Sequence, residues 1–326
     1  MRIKTFHDQD FTGCSNPLRL RTELRQLSCG SHFIVQGAIN VSASETFTHT
    51  QLPLTIDGVQ LNIAAIHRRG ELAPIVFLHG FGSTKEDYAG IALQAEFDGH
   101  PFVAFDAPGC GETLCSDLSR VSIPLLVQVT LQVLEHFDIE RFHLVGHSMG
   151  GLAALLLAHQ FPGRVLSFTD IEGNIAPEDC FLSRQIDDYP SDDPEAFFAA
   201  FIKRVRHAPA YASALYSASL RHKVRAEAVR GIFSTIVDLS DNADLMGKFL
   251  GLKCPRMFMY GEQNSSLSYL AHIQAQGVRL APIPVCGHFP MYSNPIAMWQ
   301  LIADFHRASQ IPNLWQISVI FVQPFC

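Results

Sequence analysis

Charge is scarce in this chain of 326 residues: Asp, Glu, Lys and Arg together make up 17%. Hydrophobic residues reach 48%, so a disordered composition is excluded and a large buried core is implied. Basic clusters are missing too. The net charge is −7 and the Lys and Arg residues are scattered, so neither nucleic acid nor an anionic membrane surface is an expected partner. No run reaches about 18 uninterrupted apolar residues, which speaks against a transmembrane segment. The opening MRIKTFHDQDF lacks the continuous apolar stretch of a secretory signal. Eight cysteines are present, at 14, 29, 110, 115, 180, 254, 286 and 326, yet no pair has CxxC spacing. A chain of this size needs no disulfide staples. Reduced thiols and a cytoplasmic protein are therefore expected.

What charge there is gathers once, in DDYPSDDPE at 187–195. Such a run reads as a solvated loop, with a partner surface as the sharper alternative. The length suits one large domain carrying an insertion better than two equal domains.

The patterning then divides the chain. Residues 1–45 show little periodicity and read as an N-terminal extension. FTHTQLPLTI (47–56) and VQLNIAAIH (59–67) flank Asp57-Gly58, a hairpin signal. PIVFLHGFG (74–82) and PFVAFDAPGCG (101–111) are short apolar runs ending in glycines, as buried parallel strands are. Ser122 caps a helix with Pro124 in its first turn. RFHLVGHS (141–148) is a strand, and GGLAALLLAHQF is the helix that follows, stopped at Pro162. Further strands read at 164–174, 255–262 and 278–288. Strands alternating with helices predict an α/β fold with a mostly parallel twisted sheet flanked by helices. The long interval before residue 255 breaks the rhythm. Its Phe197, Phe198, Phe201, Ile202 and Val205 share one helical face. It is read as an inserted helical cap (174–252) between two parts of the core (46–173 and 253–308). Core packing is the plain role of its aromatics; lining a substrate pocket is the functional one, with Phe197, Phe198 and Phe201 as candidates. The last segment, 309–326, is apolar but too short to span a membrane. It could pack as a strand, cover a patch or join two copies as a homodimer.

Chemistry concentrates at Gly146-His147-Ser148-Met149-Gly150, a G-x-S-x-G motif between an apolar strand and an Ala/Leu-rich helix. The sharp strand-to-helix turn lifts the serine hydroxyl above the sheet, and bulky neighbours two positions away would clash. The following helix points its first N–H groups at the site. Ser148 is thus the candidate nucleophile. An acyl-transfer serine also needs donors for the developing oxyanion. The Met149 backbone N–H is one, and the Phe81 N–H, in His79-Gly80-Phe81-Gly82, is the other. The general base should be a histidine after the last strand, and His288 in Cys286-Gly287-His288-Phe289-Pro290 holds that place. His79 and His147 read as local scaffolding, and Asp106 as a residue tying its loop.

From about residue 46 to 308 the sequence resembles the α/β-hydrolase fold superfamily, the serine hydrolases of esterase and lipase type with a helical cap. HGFG (79–82), DAPGCG (106–111), GHSMGG (146–151) and GHFP (287–290) stand in that family's order and spacing. In most of its members the triad acid follows the strand corresponding to 255–260, in a G-x-x-D pattern. Here the stretch is Gly261-Glu262-Gln263-Asn264, with an uncharged amide at the acid's position. Other members, including one branch of the haloalkane dehalogenases, carry the acid after the strand that follows the nucleophile helix. Glu172, 24 residues beyond Ser148, fits that alternative; Asp170, Glu262, and Asn264 or a water stay open beside it.

A serine rather than an aspartate at the elbow suits attack on a carbonyl, not halide displacement or epoxide opening. The resemblance implies a carboxylesterase-like enzyme acting on a small-molecule ester-like substrate, with no metal or organic cofactor. Acyltransferase, thioesterase, lactonase, carbon–carbon hydrolase and haloperoxidase activities share the machinery. A catalytically silent binding protein is the alternative outside enzymes.

Overall fold

The computed structural model describes residues 47–310. The readings made for the extension at 1–45, for a homodimer contact and for all but the first two residues of the apolar tail lie outside this range.

Nine strands form one sheet among the described residues, in the order β1-β2-β4-β3-β6-β7-β8-β9, with the two-residue β5 (Leu114–Cys115) beside β2. β1 (Thr48–Ile56) and β2 (Val59–Arg68) make the expected hairpin, with Ile56 opposite Val59. Asp57 and Gly58 take φ of 49° and 82°, the left-handed pair that a two-residue hairpin turn requires. β2 also runs antiparallel to β4 (Phe102–Phe105). From β4 onward every pairing is parallel, through β3 (Ile75–Leu78), β6 (Phe142–His147), β7 (Val165–Ile171), β8 (Arg256–Gly261) and β9 (Arg279–Ile283). The central strands are buried along their whole length, which is why they read as continuous apolar runs.

α1 (Ile123–His136) starts where its signals lie: the Ser122 hydroxyl accepts a hydrogen bond from the Leu125 N–H. α2 (Met149–Gln160) is hydrophobic on every side because it packs on β6, β3 and β7 and on α1. β9 stops at Ile283, earlier than its apolar run suggests. Pro284 offers no N–H to a ladder, and Val285 turns to φ 51°. α7 (Leu270–Ala275) precedes β9, and α8 (Pro290–Ser293) and α9 (Pro295–Gln310) follow it, the last running two residues into the segment read as tail.

The insertion after β7 is helical as expected: α3 (Pro194–Arg206), α4 (Ser213–Lys223), α5 (Ala226–Asn242) and α6 (Leu245–Gly251). α6 differs from its neighbours. It packs on α2, with Phe249 edge-on to Phe168 of β7, so it belongs to the layer flanking the sheet. None of the helices described is long and apolar enough to cross a membrane.

The topology places the chemistry. The chain leaves β3 toward β4 on one side and leaves β6 toward β7 on the other. Open α/β sheets bind ligands in the crevice at such a reversal, outside the carboxyl ends of the strands. The carboxyl ends of β3, β6, β7 and β8 and the loops after them therefore stand side by side, and they carry Phe81, Ser148, Glu172 and Gly261.

Candidate active site

Ser148 sits at φ 50° and ψ −118°, the strained turn between β6 and α2. Its N–H donates to the Ile171 carbonyl (2.9 Å), and its own carbonyl accepts from Leu152 N–H (3.0 Å), so strand and helix both hold it. The flanking glycines are explained by space. A Cβ on Gly146 would lie 2.7 Å from the Gly150 carbonyl oxygen, and one on Gly150 would lie 2.2 Å from the Leu78 carbonyl oxygen.

The Ser148 Oγ lies 2.9 Å from His288 Nε2, and His288 Nδ1 lies 2.6 Å from Glu172 Oε2. Glu172 and His288 are buried, while Ser148 is half-buried. A carboxylate can only accept, so His288 Nδ1 carries the proton toward Glu172. Nε2 is then bare and accepts from the serine hydroxyl. Glu172 itself stands at φ 47°, and it accepts twice more, from Gly261 N–H at Oε1 (2.6 Å) and from Asn264 Nδ2 at Oε2 (2.7 Å). Asn264, at the position where an aspartate is usual, thus faces the same carboxylate as the histidine and donates to it.

The other two acids go elsewhere. Asp170 is fully buried and accepts from Gly173 N–H (3.0 Å), bracing the turn that carries Glu172. Burial, and next the charge of Asp179, push its carboxyl well above the usual range. Glu262 is exposed and accepts from the Val285 N–H (2.7 Å), which ties the loop leading to His288.

The two scaffolding histidines act as read. His79 Nδ1–H donates to the Gly80 carbonyl (2.8 Å), and its Nε2 accepts from Ala107 N–H (2.9 Å). His147 Nε2–H donates to the His288 carbonyl (2.7 Å), joining the serine's turn to the histidine's loop. Burial holds both imidazoles below their ordinary pKa, hence neutral. Asp106 ties its loop: it accepts from the Lys85 N–H (2.9 Å), from Lys85 Nζ (2.9 Å) and from Glu112 N–H (2.8 Å). Met149 opens α2 directly after the serine, and Phe81 lies in the turn after β3, the strand paired with β6.

Phe197, Phe198 and Phe201 do not line the pocket. They are buried on α3, where Phe197 and Phe201 pack against Phe233 of α5, and Phe201 meets the Phe81 ring edge-on at 5.8 Å. A helix face that reads as apolar on one side serves the core between α3 and α5, the plain role of such a stripe. The cavity beside His288, about 650 Å³, is lined instead by residues such as Phe181, Leu182, Tyr189, Val205, Tyr216 and Phe289. Phe181, half exposed, stands edge-on to the His288 ring at 5.1 Å. Arg204, Asp188 and Gln185 add polar groups to the wall. Of these only Val205 belongs to the periodic stripe of α3; the others carry no periodic signal. Phe181 lies in short 3-10 turns, and Tyr216 lies on a helix whose face reads no differently from its neighbours. Among the described residues no group of three or more His, Cys, Asp or Glu side chains converges as a metal ion requires.

The family model described as "Alpha/beta hydrolase family" matches residues 75–300. The chain is 39% identical over 98 residues to the dihydrolipoyllysine-residue acetyltransferase component of the acetoin cleaving system of Pseudomonas putida, covering 29% of this chain and 25% of that protein. The corresponding component of Cupriavidus necator is covered to 29%, so the chain spans well under half the length of these relatives. A monoacylglycerol lipase of Mus musculus is 25% identical over 269 residues, 73% of this chain and 76% of the lipase. In three dimensions a thermophilic esterase from Thermogutta terrifontis superposes with a TM-score of 0.63 at 18% identity, over 81% of this chain and 100% of the esterase; that likeness concerns the fold.

Proposed function

Since the chain belongs to the alpha/beta hydrolase family, we propose that it is a serine hydrolase cleaving a carboxylic ester-like bond through an acyl-enzyme. The observation that carries this reading is the continuous hydrogen-bonded chain Ser148 Oγ–His288 Nε2, His288 Nδ1–Glu172, at 2.9 and 2.6 Å. Its order and its correct tautomer are what nucleophilic activation of a serine needs.

In this mechanism the Ser148 oxygen attacks the carbonyl carbon as His288 Nε2 takes the hydroxyl proton. Glu172 keeps the imidazole oriented and balances its positive charge. The Met149 and Phe81 N–H groups receive the oxyanion. His288 then returns the proton to the departing alcohol, leaving an acyl group on Ser148. A water molecule, deprotonated by His288, attacks the ester so formed and releases the acid. The part of the helical insertion before α6 acts as a cap, and the partly apolar cavity beside His288 receives the organic part of a small ester. The histidine and its glutamate are largely sheltered from solvent while the serine is half-buried beside the cavity that His288 lines, an arrangement suited to a reaction with a dissolved substrate.

The test is a panel of acyl esters, thioesters and lactones of graded chain length, with Ser148→Ala as control and labelling by a fluorophosphonate probe alongside. Hydrolysis of at least one ester, lost in Ser148→Ala together with the label, is the expected result. Absence of turnover across the panel with no labelling of the wild-type protein would point to a silent binding protein. Partition of the acyl group to added alcohol in preference to water would identify a transferase.

A further inference from the structure

Tyr216, on the inserted helix α4, is buried completely and is not among the groups that move protons in the mechanism. Its hydroxyl donates to the Phe81 carbonyl at 2.9 Å, across 135 residues of sequence. That carbonyl belongs to a tight turn. Ser83 N–H donates to the Gly80 carbonyl (3.0 Å), and Gly82, at the third position, has φ +79°. An i to i+3 bond with positive φ at the third residue is a type II turn. Its middle peptide, between Phe81 and Gly82, can flip to the type I arrangement with little movement of the ends. Glycine makes both states accessible, so the turn by itself is not committed to one.

We propose that Tyr216 is a positioning residue that locks this turn by its carbonyl side, and so steadies the Phe81 backbone whose N–H, on the preceding peptide, is read as an oxyanion donor, whenever α4 is seated. The inference rests on the hydrolase reading above and goes on to name how the insertion governs that site. Three further observations support it. The Tyr216 ring and Leu220 occupy the space where a Gly82 Cβ would be, at 2.4 and 2.6 Å, so α4 presses on the turn itself. The ring also stacks on Phe289, directly after His288, at 3.9 Å and 25°. The last residue of α4, Lys223, donates to the Tyr292 hydroxyl (2.6 Å), which donates to Asp87 (2.8 Å); Asp87 in turn accepts from Thr84 N–H (3.2 Å), just past the turn. One helix therefore holds both ends of the segment bearing Phe81, and touches the loop bearing the base. Burial raises the phenol's pKa, so the hydroxyl stays a donor.

The test replaces Tyr216→Phe, which keeps the stack on Phe289 and removes the donor. A turn freed of this bond holds the Phe81 N–H less firmly in aim, so it should bind the ground state normally and the oxyanion less well. The expected result is a fall of about 10- to 100-fold in kcat, less than for loss of an oxyanion donor itself, with KM within about twofold. The affinity of a trifluoromethyl ketone should fall by the same factor as kcat. Tyr216→4-aminophenylalanine, which restores a donor at the same place, should recover most of the rate, and Tyr216→4-methylphenylalanine, which fills the space without donating, should not. Those two carry the test if Tyr216→Phe does not fold. An unchanged kcat in the non-donating variants, with only a lower melting temperature, overturns the proposal; so does a raised KM at constant kcat, which marks a substrate contact. Failure of wild-type Ser148 to react with a fluorophosphonate would instead sink the hydrolase reading, and this inference with it.

Discussion

Replacing Glu172 by glutamine tests the acid assignment most severely, because its surroundings are all donors. Oε1 accepts from Gly261 N–H, and Oε2 accepts from His288 Nδ1 and from Asn264 Nδ2. A glutamine must turn its NH2 toward one of these sides. Turned toward Gly261, it sets N–H against N–H, and the backbone donor cannot adapt. Turned toward His288, it keeps the Gly261 bond, and Asn264 can reverse its amide to accept. That second arrangement costs less, and it requires His288 Nδ1 to become the acceptor. The imidazole proton then moves to Nε2, which can no longer take the proton of Ser148. Loss of the right tautomer, together with loss of the countercharge, costs about 10⁴-fold in kcat where the comparable acid of a serine protease was changed, or roughly 5.4 kcal/mol of transition-state stabilisation. The same order is expected for Glu172→Gln, with burst and steady-state phases of a p-nitrophenyl ester as the assay. A melting temperature near that of wild type establishes that the fold is kept. Asn264→Ala removes one of three donors and should cost only about tenfold. If Glu172→Gln stays within tenfold of wild type while Asp170→Asn or Glu262→Gln abolishes turnover, the assignment is wrong.

Other outcomes follow from the same structure. Gly150→Ala places a methyl 2.2 Å from the Leu78 carbonyl oxygen, with backbone on that side, and should abolish soluble expression or lower the melting temperature sharply. Phe201→Ala should destabilise the protein by about 3–5 kcal/mol in urea titrations, since its ring is wholly buried between α3 and α5. Phe181→Ala, half exposed beside His288, should leave stability nearly unchanged and raise KM for apolar esters; the reverse pattern for these two residues would refute the placing of the pocket. Stability should also decline in mild acid. His143 and His306 are buried side by side, with ring centroids 4.3 Å apart; burial, then neighbouring histidines, push His143 down to about 4 and His306 down to about 3, from 6.5. Because the folded values are depressed, the unfolded chain takes up protons first. The contribution is intact above about pH 6.5 and is lost as pH falls toward 4, by an order of a few kcal/mol. Urea midpoints measured from pH 7.5 to 5 should show this, and His306→Gln should flatten the slope; a flat wild-type profile would contradict it.

Much of this molecule was legible in order of residues alone. Buried parallel strands need continuous apolar runs, a two-residue hairpin needs Asp57-Gly58 or its like, and a strained elbow needs small neighbours at Gly146 and Gly150. These are local demands, so FLHGFG, FVAFDAPG and LVGHSMGG disclose both the sheet and the serine. Glu172 could be reached only through resemblance to chains that place their acid there. Nothing in TDIEGN itself separates Glu172 from Asp170. The separation comes from β7 ending beside β8, which turns Glu172 toward Gly261, Asn264 and His288, and turns Asp170 back onto Gly173.

The insertion was legible as helical and no further. Its aromatic stripe at Phe197, Phe198 and Phe201 marks an apolar face without saying what meets that face, and Phe233 of α5 meets it. The cavity is walled by residues from short turns and from helix ends, such as Phe181, Tyr189 and Phe289, which share no period. Sequence patterns record what each segment demands of its own backbone and of water. Which face meets which, and hence where Tyr216, Asn264 and the pocket wall stand relative to Ser148, is set by contacts between distant segments, and only the folded chain decides those.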